Sequence, residues 1–237
     1  MSDSANETKK HRKLDIVMCI DGTGSMSPYL ATVKKNAERF YQNLAAEMLT
    51  NNNTEIDMLR IKIIVFRDYA KEGADAISQT RFFELNTDMD RVEFEKALAD
   101  IKAQGGGDKP ENGLEALYYA MMSDFVTGRD DRQIIILFTD ADALELKERA
   151  GCDGYPADMV DHDGLINLWA CASQDASIKL SERIRRMIVY APEGTKYDDL
   201  SKVMERMIFV PTRPEDGLSE IDFSAVIKII AASASSK

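Results

Sequence analysis

Short segments that are apolar on nearly every residue, rather than on every second one, constrain this chain most. Gln133-Ile134-Ile135-Ile136-Leu137-Phe138 is the most hydrophobic, and Leu14–Ile20 and Leu59–Phe66 are built the same way. A strand apolar on both sides needs cover on both faces, which is the situation of a parallel sheet between two layers of helices. The intervening segments supply that cover. Behind Pro28, which can sit in a first helical turn, Leu30, Val33, Ala37, Phe40, Tyr41, Leu44 and Met48 recur at helical spacing until Asn51-Asn52-Asn53 closes the run. Arg91–Lys102 is a second helix. A third opens at Pro110, with Glu111 in its first turn and Leu114, Leu117, Tyr118, Met121, Met122 and Phe125 on its buried face. Arg81–Leu85 reads as a weaker edge strand, and Arg186–Tyr190 and Ile208–Val210 as the last two strands. Leu165–Ala172, Asp198–Met207 and Ser219–Ala232 complete the helices. The expectation is an α/β, Rossmann-like doubly wound, mostly parallel six-stranded sheet with helices on both faces. Residues 1–13 are expected to form a disordered N-terminal tail. Residues 14–234 are expected to form a single domain, with a polar excursion at about 145–163.

Composition excludes several classes of function. Thirty lysines and arginines against 41 aspartates and glutamates leave a formal charge of −11. That is wrong for a protein that binds nucleic acid through phosphate neutralisation. Three scattered cysteines, Cys19, Cys152 and Cys171, make neither a disulfide framework nor a zinc site, and only His11 and His162 could add imidazole. A reducing cytoplasm is the expected compartment. No apolar run approaches the length needed to cross a bilayer, and no signal peptide is visible.

In doubly wound sheets, ligands bind beyond the carboxyl ends of the strands. After the first strand stand Asp21, Thr23 and Ser25. Asp108 follows a glycine pair ahead of the third long helix, and Asp140, then Asp142, follow the most hydrophobic strand. These are hard oxygen donors, suited to Mg²⁺, Mn²⁺ or Ca²⁺. Each residue also has a plainer role open to it. Asp21 and Ser25 can cap the next helix, Asp140 can turn the chain, Asp108 can cap ahead of Pro110, and Asp142 can be a solvated loop acid. Arg67-Asp68 reads as a structural ion pair near the sheet top. Met18, Cys19 and Cys171 read as core, and Trp169 as packing the excursion onto the domain.

Asp21-Gly22-Thr23-Gly24-Ser25 resembles the D-x-[ST]-x-S element of the von Willebrand factor A (VWA) family, and it stands where that element belongs, at the end of a first hydrophobic strand. Thr139-Asp140 resembles the second metal-site aspartate of the same family. Gly106-Gly107-Asp108-x-Pro110-Glu111 and Phe66-Arg67-Asp68-Tyr69 resemble variants in some branches, including VWA domains attached to alpha-kinases. The resemblance covers Leu14 to about Asp142 by motif and implies a VWA fold with a metal ion-dependent adhesion site (MIDAS). It implies that Thr23 and Ser25 contact the ion directly and that Asp21 and Asp140 act through water. It further implies an open coordination position that accepts an acidic side chain from a protein partner. Asp108 stands where many members have threonine. A third carboxylate favours the ion and lowers the electrophilicity left for that partner.

The expectation is thus a non-enzymatic, intracellular, bacterial interaction module, monomeric on its own, binding neither nucleic acid nor membrane. An Mg²⁺-dependent hydrolase using the same carboxylates stays open as the alternative. Ile20-Asp21-Gly22-Thr23 is also similar to part of the haloacid-dehalogenase D-x-D-G-T element, but Cys19 occupies the nucleophile's position. No P-loop sequence occurs, and the acid in the first loop disfavours a dinucleotide pyrophosphate.

Overall fold

The computed structural model describes residues 9–105, 110–172, 175–213 and 222–235. Seven strands form one sheet: β1 (Lys10–Asp21), β2 (Thr54–Phe66), β3 (Ile77–Gln79), β4 (Phe83–Glu84), β5 (Arg132–Phe138), β6 (Arg185–Pro192) and β7 (Met207–Thr212). The order is β3-β2-β1-β5-β6-β7, with β4 also on β2. β1, β2, β5, β6 and β7 pair in parallel, and β3 and β4 run antiparallel to β2. The mostly parallel doubly wound sheet is therefore as expected, but the edge differs. In place of one strand at Arg81–Leu85, two short strands flank a break where the Thr80 hydroxyl accepts from the Ile63 N–H. β1 begins at Lys10, so four residues expected in the tail extend the sheet. Their polarity has a local cause: Lys10, His11 and Lys13 point to solvent and only Arg12 turns inward.

The helices are α1 (Ser27–Asn52), α2 (Tyr69–Glu72), α3 (Asp88–Asp100), α4 (Gly113–Met121), α5 (His162–Trp169), α6 (Lys196–Val203) and α7 (Phe223–Ser235). α1 carries Pro28 in its first turn and ends at Asn53, whose φ of 47° makes it a left-handed cap. α4 starts three residues after Pro110, and Glu111 lies outside it in a bridge to Ala143. The expected start of the last helix at Ser219 lies outside the described residues.

The strand period of two sorts side chains into two cores. Leu14, Ile16, Met18 and Ile20 of β1, with Ile134, Ile136 and Phe138 of β5, pack under α1, α3 and α7. Val17 and Cys19, with Ile135 and Leu137, pack under α4, α5 and α6. Cys171 is half-buried at a φ of 56°, so it sits at the margin of the second core and not within it. Trp169 fills that core from α5, and its indole N–H donates to Glu205 O at 2.8 Å. Among the described residues, no helix is long and apolar enough to cross a membrane.

Candidate functional site

The chain leaves β1 toward β2 on one side and later returns to place β5 on the other. The crevice between the carboxyl ends of β1 and β5 is thus the topological switch point, where two connections diverge and leave room for a ligand. Asp21 closes β1 and Thr139-Asp140 follows β5, so both face this crevice.

Asp21 is fully buried and held on three sides. Its Oδ1 accepts from the Thr23 N–H at 2.9 Å and the Thr23 hydroxyl at 2.6 Å, and its Oδ2 accepts from the Thr139 hydroxyl at 2.7 Å. Thr23 Oγ1 lies 3.3 Å from Ser25 Oγ, and Ser25 is exposed. Burial pushes the Asp21 carboxyl up, the hydroxyls pull it down, and the charge of Asp140 adds to the rise. Asp21, Thr23, Ser25 and Asp140 are therefore brought together. Asp108 lies outside the described residues. Asp142 is only half-exposed. Its Oδ1 accepts from the N–H groups of Ala143 and Lys196, so it organises the turn after β5.

The loop after β1 is fixed by what surrounds it. Gly22 N–H donates to Phe66 O at 2.9 Å, and Gln104 N–H donates to Gly22 O at 3.0 Å. The Arg67 guanidinium lies across it, donating to Gly22 O, Gln104 O and Lys102 O. A Cβ at Gly22 would come within 2.7 Å of that guanidinium and of Val65, so only glycine admits this crossing. Arg67 is accordingly not the partner of Asp68. Asp68 pairs with Arg149 of the excursion through two bonds, at 2.6 and 3.0 Å. Burial works against its charge, but Arg149 and the Ala70 N–H more than offset that and hold the carboxyl below its usual range.

Two further acids belong to this end of the sheet. Glu111 was expected in a helical first turn. Instead its backbone is clamped between Asp142 O and Leu144 N–H, and its side chain is buried, with Oε2 making no hydrogen bond among the described residues. Burial first, then the charges of Asp21, Asp68 and Asp140, push its carboxyl up to about 8. Glu115 is fully buried one turn on and accepts from the Tyr155 hydroxyl at 2.8 Å. Only the Pro-Glu step after the glycine pair hinted at Glu111, and nothing in the sequence hinted at Tyr155 or Arg149.

These residues fit a divalent cation by chemistry. Asp21, Thr23, Ser25 and Asp140 are oxygen donors; burial chiefly raises Asp21 and Glu111 and the neighbouring carboxylates add to it, a cost that a cation would relieve. Among the described residues, no three acidic, imidazole or thiol side chains form a ligand set by themselves.

The chain is an α/β domain, a doubly wound sheet with hydroxyls and carboxylates gathered at its switch point. The chain belongs to the von Willebrand factor type A domain family, whose model matches residues 15–161. No curated protein matches the chain. Among solved structures it is similar to the pilus adhesin SpaC from Lactobacillus rhamnosus GG in its open conformation, with a TM-score of 0.56 and 12% identity over 96% of this chain and 31% of that one. It is also similar to proximal thread matrix protein 1 from the mussel byssus with a zinc-occupied MIDAS motif. There the TM-score is 0.50 and the identity 14%, over 96% of this chain and 49% of that one. The chain thus spans less than half of either relative, and at these identities the likeness is one of fold.

Proposed function

We propose that this chain is a non-enzymatic interaction module that holds one divalent cation, Mg²⁺ or else Mn²⁺ or Ca²⁺, in a MIDAS-like site. Asp21, Thr23, Ser25 and Asp140 hold it, with Asp108 of the Gly106-Gly107-Asp108 sequence, and a protein partner docks over it. The observation that carries this reading is the Asp21 carboxylate at the switch point, its two oxygens fixed by Thr23 and Thr139 beside Asp140. When bound, the ion supplies positive charge that an acidic side chain of a partner can approach. Thr23 and Thr139 orient Asp21, Arg67 fixes the loop, and Glu111 is a buried carboxyl close enough to feel the charges of Asp21 and Asp140. We place the module in a bacterial cytoplasm, acting as one domain over residues 14–234 with the 145–163 excursion beside the site, and monomeric until its partner binds.

Thermal melting tests the metal. A ligand that binds only the native state at about 100 times its Kd adds ~2.7 kcal/mol. That corresponds to a rise of roughly 5–11 °C for a chain of this size. Mg²⁺ should raise Tm over EDTA by that order, with Zn²⁺ as the comparison ion. Asp21→Ala should lose the whole response, read against its own melt in EDTA because the change also leaves the buried Thr23 and Thr139 donors without their acceptor. Equal melts with and without metal, and no calorimetric heat, would sink the site. Turnover of a generic phosphoester in Mg²⁺ would favour the hydrolase instead.

A further inference from the structure

A groove of about 420 Å³ opens at the β3 edge of the sheet, beside the loop that follows β1. Its floor follows from the strand period. Ile63 and Val65 point from β2 to the same side of the sheet, and Ala97 and Ile101 face the same groove from the end of α3. α3 stops at Asp100 and β3 is three residues long, so neither element closes the space above that floor.

The wall carries fixed charges of both signs. Arg67 lines the groove and is only 9% exposed. Its Nε donates to Gly22 O at 3.0 Å and Gln104 O at 3.2 Å, and its Nη2 donates to Lys102 O at 2.8 Å. Among the described residues these carbonyls are its hydrogen-bond partners, no carboxylate pairs with it, and Nη1 donates to nothing. A guanidinium has five N–H donors, so the pair on Nη1 is the part of the fork left to the groove. Glu72 and Asp75 line the same space, and neither forms an ion pair or a side-chain hydrogen bond among the described residues. The Glu72 carboxylate and the Arg67 stem converge over Gly105, where an added Cβ would meet both. Asp100 and Lys102, both exposed, add one charge of each sign.

We infer that this groove binds a small zwitterion, a free α-amino acid with an aliphatic side chain. Its carboxylate takes the N–H groups of Arg67 Nη1, its ammonium lies by Glu72 and Asp75, and its side chain covers the apolar floor. Hydrogen bonds between a guanidinium and a carboxylate are among the stronger ones. A simple anion would meet Glu72 and Asp75, and a simple cation would meet Arg67, so a ligand carrying both charges fits better than either. The volume is in the small-ligand range of ~300–1,000 Å³. The site needs no cation at Asp21 and stands apart from the interaction proposed there.

The test uses this chain in EDTA, so its outcome does not depend on metal binding. L-leucine is titrated in calorimetry against isoamylamine, which lacks the carboxylate, and isocaproate, which lacks the ammonium. N-acetyl-leucine amide, with both charges blocked, stands in for a residue inside a protein segment. Leucine should bind, and each of the three analogues should bind at least tenfold more weakly. Glu72 and Asp75 make no side-chain bond among the described residues, so a Glu72→Gln/Asp75→Asn variant keeps the fold, which its melt checks. That variant should bind leucine at least tenfold more weakly. Absence of leucine binding, or an equal affinity for any one of the analogues, would overturn the assignment, as would equal leucine binding by the folded variant.

Discussion

At the carboxyl end of the sheet, Asp21, Glu111 and Asp140 press on one another; at the amino end Arg12, Arg132, Arg186 and Arg206 do the same with the opposite charge. The scaffolds differ. Hydroxyls and N–H groups from loops hold the carboxylates, whereas carbonyls at the strand starts hold the guanidiniums. A parallel sheet makes this possible because all its strand ends of one kind lie together. Each end thus concentrates one sign of charge, and at the carboxyl end the proposed cation would relieve it.

The contrast is sharpest if the two ends are independent. Mg²⁺ should raise Tm by roughly 5–11 °C in an Arg183→Gln/Arg206→Gln variant, altered at the amino end, as in wild type, and not at all in Asp21→Ala. Loss of the Mg²⁺ response in the arginine variant would mean that the two ends form one coupled system.

A smaller effect is expected from the tie between the excursion and the acidic end. Arg149→Ala leaves the buried Asp68 carboxylate with its Ala70 N–H only and should cost about 2 kcal/mol, as lost charged hydrogen bonds do. Tm should fall by roughly 4–8 °C at pH 7. A change within 1 °C would show that the pair is dispensable.

A further effect concerns protons. Glu111 sits at about 8 in the fold, against ~4.3 in an unfolded chain. The folded protein keeps a proton that the unfolded chain gives up. Its contribution is fully present below ~4.3 and is lost as pH rises through about 8. Without metal, Tm should therefore decline between pH 5 and pH 8, and Glu111→Gln should flatten the decline. An unchanged slope in that variant would assign the titration elsewhere.

Legibility in the sequence follows contact range. Asp21, Thr23 and Asp140 could be read because each stands within a few residues of the end of an unmistakable strand, and the fold class follows from those strands. Glu111 could not be placed, since its burial depends on a bridge to Ala143, 32 residues away. The Asp68–Arg149 pair spans 81 residues and joins a loop to an excursion with no periodicity. The arginines of the amino end lie scattered along the chain at the starts of β1, β5, β6 and β7, and only the strand order gathers them. β3 and β4 were blurred for a different reason: at three and two residues, neither is long enough to show a period.

The placement of β1 has a consequence for how binding would be felt across the molecule. From Leu14 to Ile20 it is paired on both sides, to β2 and to β5. Amide groups in so central a strand exchange with solvent only when the whole sheet opens. Asp21 terminates that strand, so a cation held there would be tied to the most enclosed strand of the sheet. Its binding energy would then appear as slower hydrogen exchange throughout β1, β2 and β5, while fraying segments such as β7 and the end of α7 would exchange as before.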